Sequence, residues 1–191
     1  MSITPPWNGA ILTPTPGPPA SGYVRLVLRD LTDTDLDRVL EINQANVPAV
    51  GSATRSHLAH LVAQSAIALV SETDGDSTSG ISGFCIVFAA GADYDSINYR
   101  WFMEHHSTTM YLDRVAFDER FHGRGLGTEM YAEVDRRIRA RHPDATGLTL
   151  EVNIDPPNEP SLAFHAALGF TEVGRQMSKG IEVSLMHRPL T

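Results

Sequence analysis

Arg120-Phe121-His122-Gly123-Arg124-Gly125-Leu126-Gly127 follows an apolar stretch, Met110 to Phe117, that reads as a strand, and it opens a long amphipathic helix predicted over 125–141. Its glycines let the backbone come close to a bulky ligand, and the start of the helix leaves several amide N–H groups without partners. Those amides, together with the helix dipole, form a site suited to a phosphate or pyrophosphate. Two better-known phosphate loops do not fit. The Gly-Lys-Ser/Thr ending of a P-loop is missing, and Thr128 stands where a dinucleotide fingerprint has its third glycine. Taken alone, the spacing also suits a glycine-rich turn that only caps a helix.

Upstream, regular patterning begins at Tyr23. Val24, Leu26 and Leu28 alternate with Arg25 and Arg29 as in a strand that ends at Asp30, and Thr32 with Asp35 resembles a capping box. Leu36, Val39, Leu40 and Ile42 make a helical stripe closed by Pro48 and Gly51, and a second helix is expected over 54–64. Ala66 to Ser71 and Ile81 to Ala89 read as an antiparallel pair turning at Asp74-Gly75-Asp76. Residues 90–108 are expected to be a long connection, rich in aromatic residues. Downstream come a strand at 148–152, a short helix at 161–168, and strands at 172–177 and 181–187 that turn at Lys179-Gly180.

The chain has 191 residues, a formal net charge of -8 and one cysteine, enough length for a substantial core and too much apolar character for disorder throughout. No apolar run reaches the length of a membrane helix, and no signal peptide is expected at the N-terminus, so a cytoplasmic protein is expected. The acidity argues against a general nucleic-acid binder. Arg136, Arg137, Arg139 and Arg141 are read as a solvated helix face, and Cys85 as a buried, inert strand residue. Six of the twelve prolines fall between Pro5 and Pro19, which sets off residues 1–22 as a tail that Trp7, Ile11 and Leu12 could anchor, ahead of one domain over 23–191.

A second segment, Asn158-Glu159-Pro160-Ser161-Leu162-Ala163-Phe164-His165 followed by Gly169-Phe170, comes just after the next strand. Together the two blocks resemble the GCN5-related N-acetyltransferase superfamily, whose Arg/Gln-x-x-Gly-x-Gly/Ala pattern is met by Arg120, Gly123 and Gly125. Asn158, Ser161, Phe164, Gly169 and Phe170 fit the family's later pattern in register, and the order of elements agrees over residues 23–188. The resemblance implies an α/β fold, a mixed, mostly antiparallel seven-stranded sheet flanked by about four helices. It also implies acetyl-CoA as cofactor and transfer of an acetyl group to a primary amine of a small molecule or peptide. Asp95 to Phe102 and Asp113-Arg114-Val115 are closest to a bacterial branch of predicted acetyltransferases, a likeness that implies no particular substrate.

Cofactor contacts implied by the resemblance are Val115, Ala116 and Phe117 on the strand, Arg120, His122, Gly123, Arg124, Gly125, Leu126, Gly127 and Thr128 in the loop, and Asn153, Asn158, Ser161 and Phe164 beyond it. His165 stands where many members carry a tyrosine that assists the leaving thiolate. A neutral imidazole could still donate one N–H to sulfur, or the role could pass to Tyr111 or Tyr99. Direct attack requires a neutral amine, hence a base, and Asp113 and Glu151 are the candidates. Asp113 reads equally as a salt-bridge partner, and Arg114 beside it is expected to point to the opposite face of the strand. A backbone amide near Val115 is the expected donor to the developing oxyanion.

The acceptor pocket is expected at Asn46-Val47-Pro48 and in the loop containing Asp93, Tyr94, Asp95, Tyr99 and Trp101. His57 with His60 and the pair His105-His106 lack companions at ligand spacing, so no metal is expected. Expected partners are the amine acceptor alone, with no nucleic acid and no membrane, and with room for a homodimer. Two other classes compete with the enzyme: a non-catalytic acyl-CoA-binding regulatory module, and a nucleotide-binding oxidoreductase domain. The second places its glycines early in the chain, whereas these lie two-thirds of the way along.

Overall fold

The computed structural model describes residues 25–74 and 80–190. The proline-rich tail and the turn at Gly75-Asp76 lie outside the described residues.

Seven strands form one sheet: β1 (Arg25–Asp30), β2 (Ile67–Asp74), β3 (Gly80–Phe88), β4 (Thr109–Phe117), β5 (Gly147–Asp155), β6 (Thr171–Ser178) and β7 (Ile181–Pro189). Their order is β1-β2-β3-β4-β5-β7-β6. Every neighbouring pair is antiparallel except β4 and β5, which run parallel. The helices are α1 (Leu36–Ala45), α2 (Arg55–Gln64), α3 (Ile97–His105), α4 (Leu126–Arg141) and α5 (Glu159–Ala167).

Alternation along the strands sends side chains to two cores. On one face Phe84, Ile86, Phe88 and Tyr111 pack with Leu36, Val39 and Ile42 of α1, Leu58 and Leu61 of α2, and Tyr99 and Phe102 of α3. On the other, Cys85, Val87, Leu112 and Leu150 meet Met130, Tyr131, Val134 and Ile138 of α4. Cys85 is fully buried there, and burial pushes its thiol up to about 12, so it behaves as a small apolar side chain. Among the described residues no helix is long and apolar enough to cross a membrane.

Three expectations change. The stretch 90–108 is not a continuous connection, since α3 forms within it, started by Ser96, whose hydroxyl accepts from Tyr99 N–H. Its buried stripe is short and built from Asn98, Tyr99 and Phe102, so helical periodicity barely registers; with it the sheet carries five helices, in keeping with the expected number of about four. Arg137 is not solvated: it is 8% exposed and bonds Glu133 at 2.7 Å and Asp30 of β1. The third concerns β4. Ile86 pairs with Arg114 and Val87 with Leu112, so Asp113 is an extra residue on β4, a β-bulge. A bulge shifts the alternation by one, which brings Asp113 and Arg114 together instead of setting them on opposite faces.

Candidate active site

The parallel pair β4/β5 is the hinge of the site. The two strands are registered only at Thr109↔Gly147, Met110↔Leu148 and Tyr111↔Thr149, yet β4 continues to Phe117 and β5 to Asp155. Past Tyr111 the facing edges lack strand partners, and a strand edge with free main-chain groups is a template for an extended ligand.

One cavity, about 510 Å³, opens beside that edge and the N-terminus of α4. Val115, Ala116 and Phe117 line it, as do His122, Gly123, Gly125, Leu126, Gly127 and Thr128 from the loop and Asn158, Ser161, Phe164 and His165 from α5 and its N-cap. Gly123 and Gly125 have φ of 73° and 80°, and a Cβ built on either would meet nothing within 4 Å. The loop therefore leaves open space where side chains would project. Glu129 is the first residue of α4 whose amide is bonded back, to Gly125 carbonyl at 3.2 Å. The amides of Leu126, Gly127 and Thr128 before it are available to an anion. A Cβ on Gly127 would come 2.8 Å from Phe164 Cζ, so this glycine is what lets α5 close against α4.

Not every expected cofactor residue is here. Arg120 bonds Asp118 at 2.7 Å, and Arg120 and Arg124 flank the Phe121 ring at 5.7 and 5.3 Å. Neither lines the cavity. Asn153 faces the second cavity and donates to Pro48 carbonyl at 3.1 Å. Asn46, expected in the acceptor pocket, lines the first cavity instead, its amide tied to the carbonyls of Ile42 (2.8 Å) and Phe117 (3.1 Å).

His165 is 4% exposed and both ring nitrogens are engaged. Nδ1 lies 2.7 Å from Ser161 carbonyl, which can only accept, so Nδ1 carries the proton. Nε2, 2.6 Å from the Tyr131 hydroxyl, is then the acceptor. Burial lowers the imidazole's pKa and keeps it neutral. No N–H remains for a sulfur, and the residue pins α5 to α4. Tyr131→Phe should therefore leave a buried ring nitrogen without its donor and lower stability by about 1–3 kcal/mol. Urea unfolding checks this, and an unchanged midpoint would show that the pair holds nothing.

The second cavity, about 230 Å³, lies on the β5 side and shares Ala49 with the first. Asp113, Arg114 and Glu151 line it with Tyr94, His57, Asn98 and Lys179. Tyr111 donates to Glu151 Oε2 at 2.7 Å, Tyr94 donates to Asp113 Oδ1, and Arg114 Nε donates to Asp113 Oδ2 at 2.7 Å. Burial first, then the charge of Asp113, raise the Glu151 carboxyl to about 7, while hydrogen bonds from Tyr111 and Asn98 pull the other way. Tyr111 is held neutral by burial and by Glu151, and burial with the charge of Asp113 does the same to Tyr94. Burial, then Arg114, lowers the pKa of His57.

Asp95 reaches the rim and pairs with Arg100. Asp93 is exposed and does not line the cavity. Tyr99 is spent within the fold, donating to Ala89 carbonyl at 2.8 Å and accepting from Ala92 N–H at 2.7 Å. Trp101 lies outside both cavities, stacked on His105 at 4.1 Å and filling the space left by Gly174. Asn98 belongs to the segment expected to form the pocket, whereas His57 and Lys179 were not anticipated there. Lys179 reads from sequence only as a hairpin turn, and nothing in the order of residues shows that β7 inserts between β5 and β6 and so carries that turn to the cavity.

A parallel pair that separates, a glycine loop against its edge and a buried carboxyl across the gap define an acyl-transfer fold. The sequence model of the acetyltransferase (GNAT) family matches residues 81–170. Ard1 from Thermoplasma volcanium shares the fold at a TM-score of 0.68 and 19% identity, over 87% of this chain and 98% of that one. Arabidopsis thaliana NAA60, solved in complex with acetyl-CoA, gives 0.67 at 16%, over 87% and 99%. The ribosomal-protein-S18-alanine N-acetyltransferase from Escherichia coli gives 0.60 at 18%, over 87% and 95%. No curated protein matches in sequence. Residues 81–170 thus match the GNAT acetyltransferase family, and the fold over 87% of the chain is the one these N-acetyltransferases share.

Proposed function

We propose that the protein moves an acetyl group from acetyl-CoA to a primary amine by direct attack, with Glu151 as general base. The observation that carries this is the pairing of two cavities across the β4/β5 gap, the one lined by glycines and free amides, the other by a carboxyl raised to about 7.

Acetyl-CoA supplies an activated acyl carbon and a thiolate leaving group. The amides of Leu126, Gly127 and Thr128 hold its pyrophosphate, and the free edge of β4 at Val115, Ala116 and Phe117 aligns the chain that follows. The amine enters from the smaller cavity. An α-ammonium titrates near 7.7 and a lysine-like one near 10.4, so a base near 7 is matched to the first and workable for the second through a brief neutral population. Tyr111 fixes the rotamer of Glu151, and Arg114 with Tyr94 fixes Asp113, whose charge helps set the basicity of Glu151. His165 holds α5 in place and takes no proton.

Acetyl-CoA should raise the melting temperature by several degrees, as a ligand at ~100 times its Kd contributes about 2.7 kcal/mol, and NAD should leave it unchanged. An amine panel read by thiol release then tests turnover. Equal protection by NAD, or thiol release that no amine accelerates, would defeat this reading.

A further inference from the structure

The cation in the smaller cavity is only partly used. Arg114 is 7% exposed in its side chain and sits on the bulge of β4. Its Nε serves Asp113 at 2.7 Å, and Nη1 serves Asn43 Oδ1 at 2.9 Å. Among the described residues Nη2 makes no hydrogen bond, and it is not among the unpartnered atoms sealed from solvent. Asp113 and Gly51, the groups on either side of the guanidinium, both line the cavity, so the open access of Nη2 is to that space. An open guanidinium edge beside a cavity is placed to receive a ligand oxyanion in a charge-assisted hydrogen bond.

A second cation faces the same space. Lys179 lines the cavity from the tip of the β6–β7 hairpin and makes no ion pair among the described residues. The hairpin is held there by α3, for Asn98 donates to Ser178 Oγ at 3.4 Å and accepts from Gln176. A bare ammonium compound would meet the open edge of Arg114 and the ammonium of Lys179 on its way to the carboxylates. An acceptor that brings its own negative charge satisfies both ends of the cavity. At about 230 Å³ the space falls below the ~300–1,000 Å³ of pockets for larger ligands, which favours a small molecule over a peptide chain.

Resting on the acetyltransferase reading above, we propose that the acceptor is a small free amino acid, its carboxylate held by Arg114 Nη2 and Lys179 and its amine turned toward Glu151. Arg114 and Lys179 are then specificity residues, acting on KM more than on kcat.

The full chain is assayed with acetyl-CoA and three matched sets: free amino acids, the amines left by their decarboxylation, and their carboxamides. The best amino acid should exceed its amine and amide by about 50-fold in kcat/KM, the scale of a lost charge-assisted pair. Arg114→Lys, which also loosens the hold on Asp113, should raise KM for that amino acid about tenfold, a larger change than the one in kcat. Lys179→Met, on an exposed turn that does not endanger folding, should narrow the preference to about fivefold or less. Amines or amides that equal the amino acids, or a preference that survives both substitutions, would overturn the assignment while leaving an acetyltransferase. Acetyl-CoA protection without thiol release from any set would also overturn it. Absence of acetyl-CoA protection altogether would instead remove the reading on which it stands.

Discussion

Glu151→Gln should lower kcat by about 10²–10⁴-fold, the usual contribution of a positioned general base, while acetyl-CoA still protects the protein against heat. The amide keeps the shape of the side chain and can still accept from Tyr111, but it cannot take a proton. The wild-type rate should rise with pH and level off above about 7, where the carboxyl is ionised, and that inflection should vanish in the variant. Stability moves the other way. Because the folded pKa lies above the unfolded one, the native state binds more protons between the ordinary glutamate value of 4.5 and about 7, so the burial of Glu151 lowers stability as pH rises through that window. Above it the penalty is complete, and Glu151→Gln should be no less stable than wild type at pH 8. A variant that stays within threefold of wild-type turnover would remove Glu151 from the chemistry, and one that unfolds at pH 8 would make it structural.

The parts of this site that were legible in the sequence are those set by local backbone chemistry. Gly123 and Gly125 announce a loop that needs positive φ, and Asn158 announces an N-cap, which it forms by accepting from Ser161 N–H at 3.3 Å. Asp113 and Glu151 are visible as carboxylates within apolar strands. Arg114 as their neighbour was hidden, because a bulge is a mismatch between β4 and β3 and leaves no mark on the alternation of β4 alone. His165 misled for a similar reason. Its register with the usual tyrosine points to sulfur, yet its partner is Tyr131, 34 residues away on another helix. Trp101 went astray with α3: as a loop residue it could reach an acceptor, but as the fifth residue of a helix it is turned toward β6 and the gap at Gly174. Long-range pairing decides each of these positions, and only the folded chain displays it.

Gly125→Glu should weaken acetyl-CoA binding by about 100-fold or more while the protein remains folded, measured by calorimetry and by loss of the thermal shift. Two effects combine. At φ 80° an L side chain strains the backbone by about 1–3 kcal/mol, and the carboxylate projects into the space beside the free amides of Leu126, Gly127 and Thr128. There it competes for the amides that a pyrophosphate would use and repels its charge. Since a Cβ at this position meets nothing within 4 Å, the substitution displaces no packed group, and the loss falls on binding. Gly127→Ala makes the contrasting case: its methyl would press on Phe164 Cζ at 2.8 Å, so it should cost about 1–3 kcal/mol of stability by forcing α5 away from α4. Gly125→Asn, which tolerates the left-handed region and adds no charge, should fall between wild type and Gly125→Glu in affinity. If Gly125→Glu binds acetyl-CoA as tightly as wild type, the loop is only a helix cap and the pyrophosphate lies elsewhere.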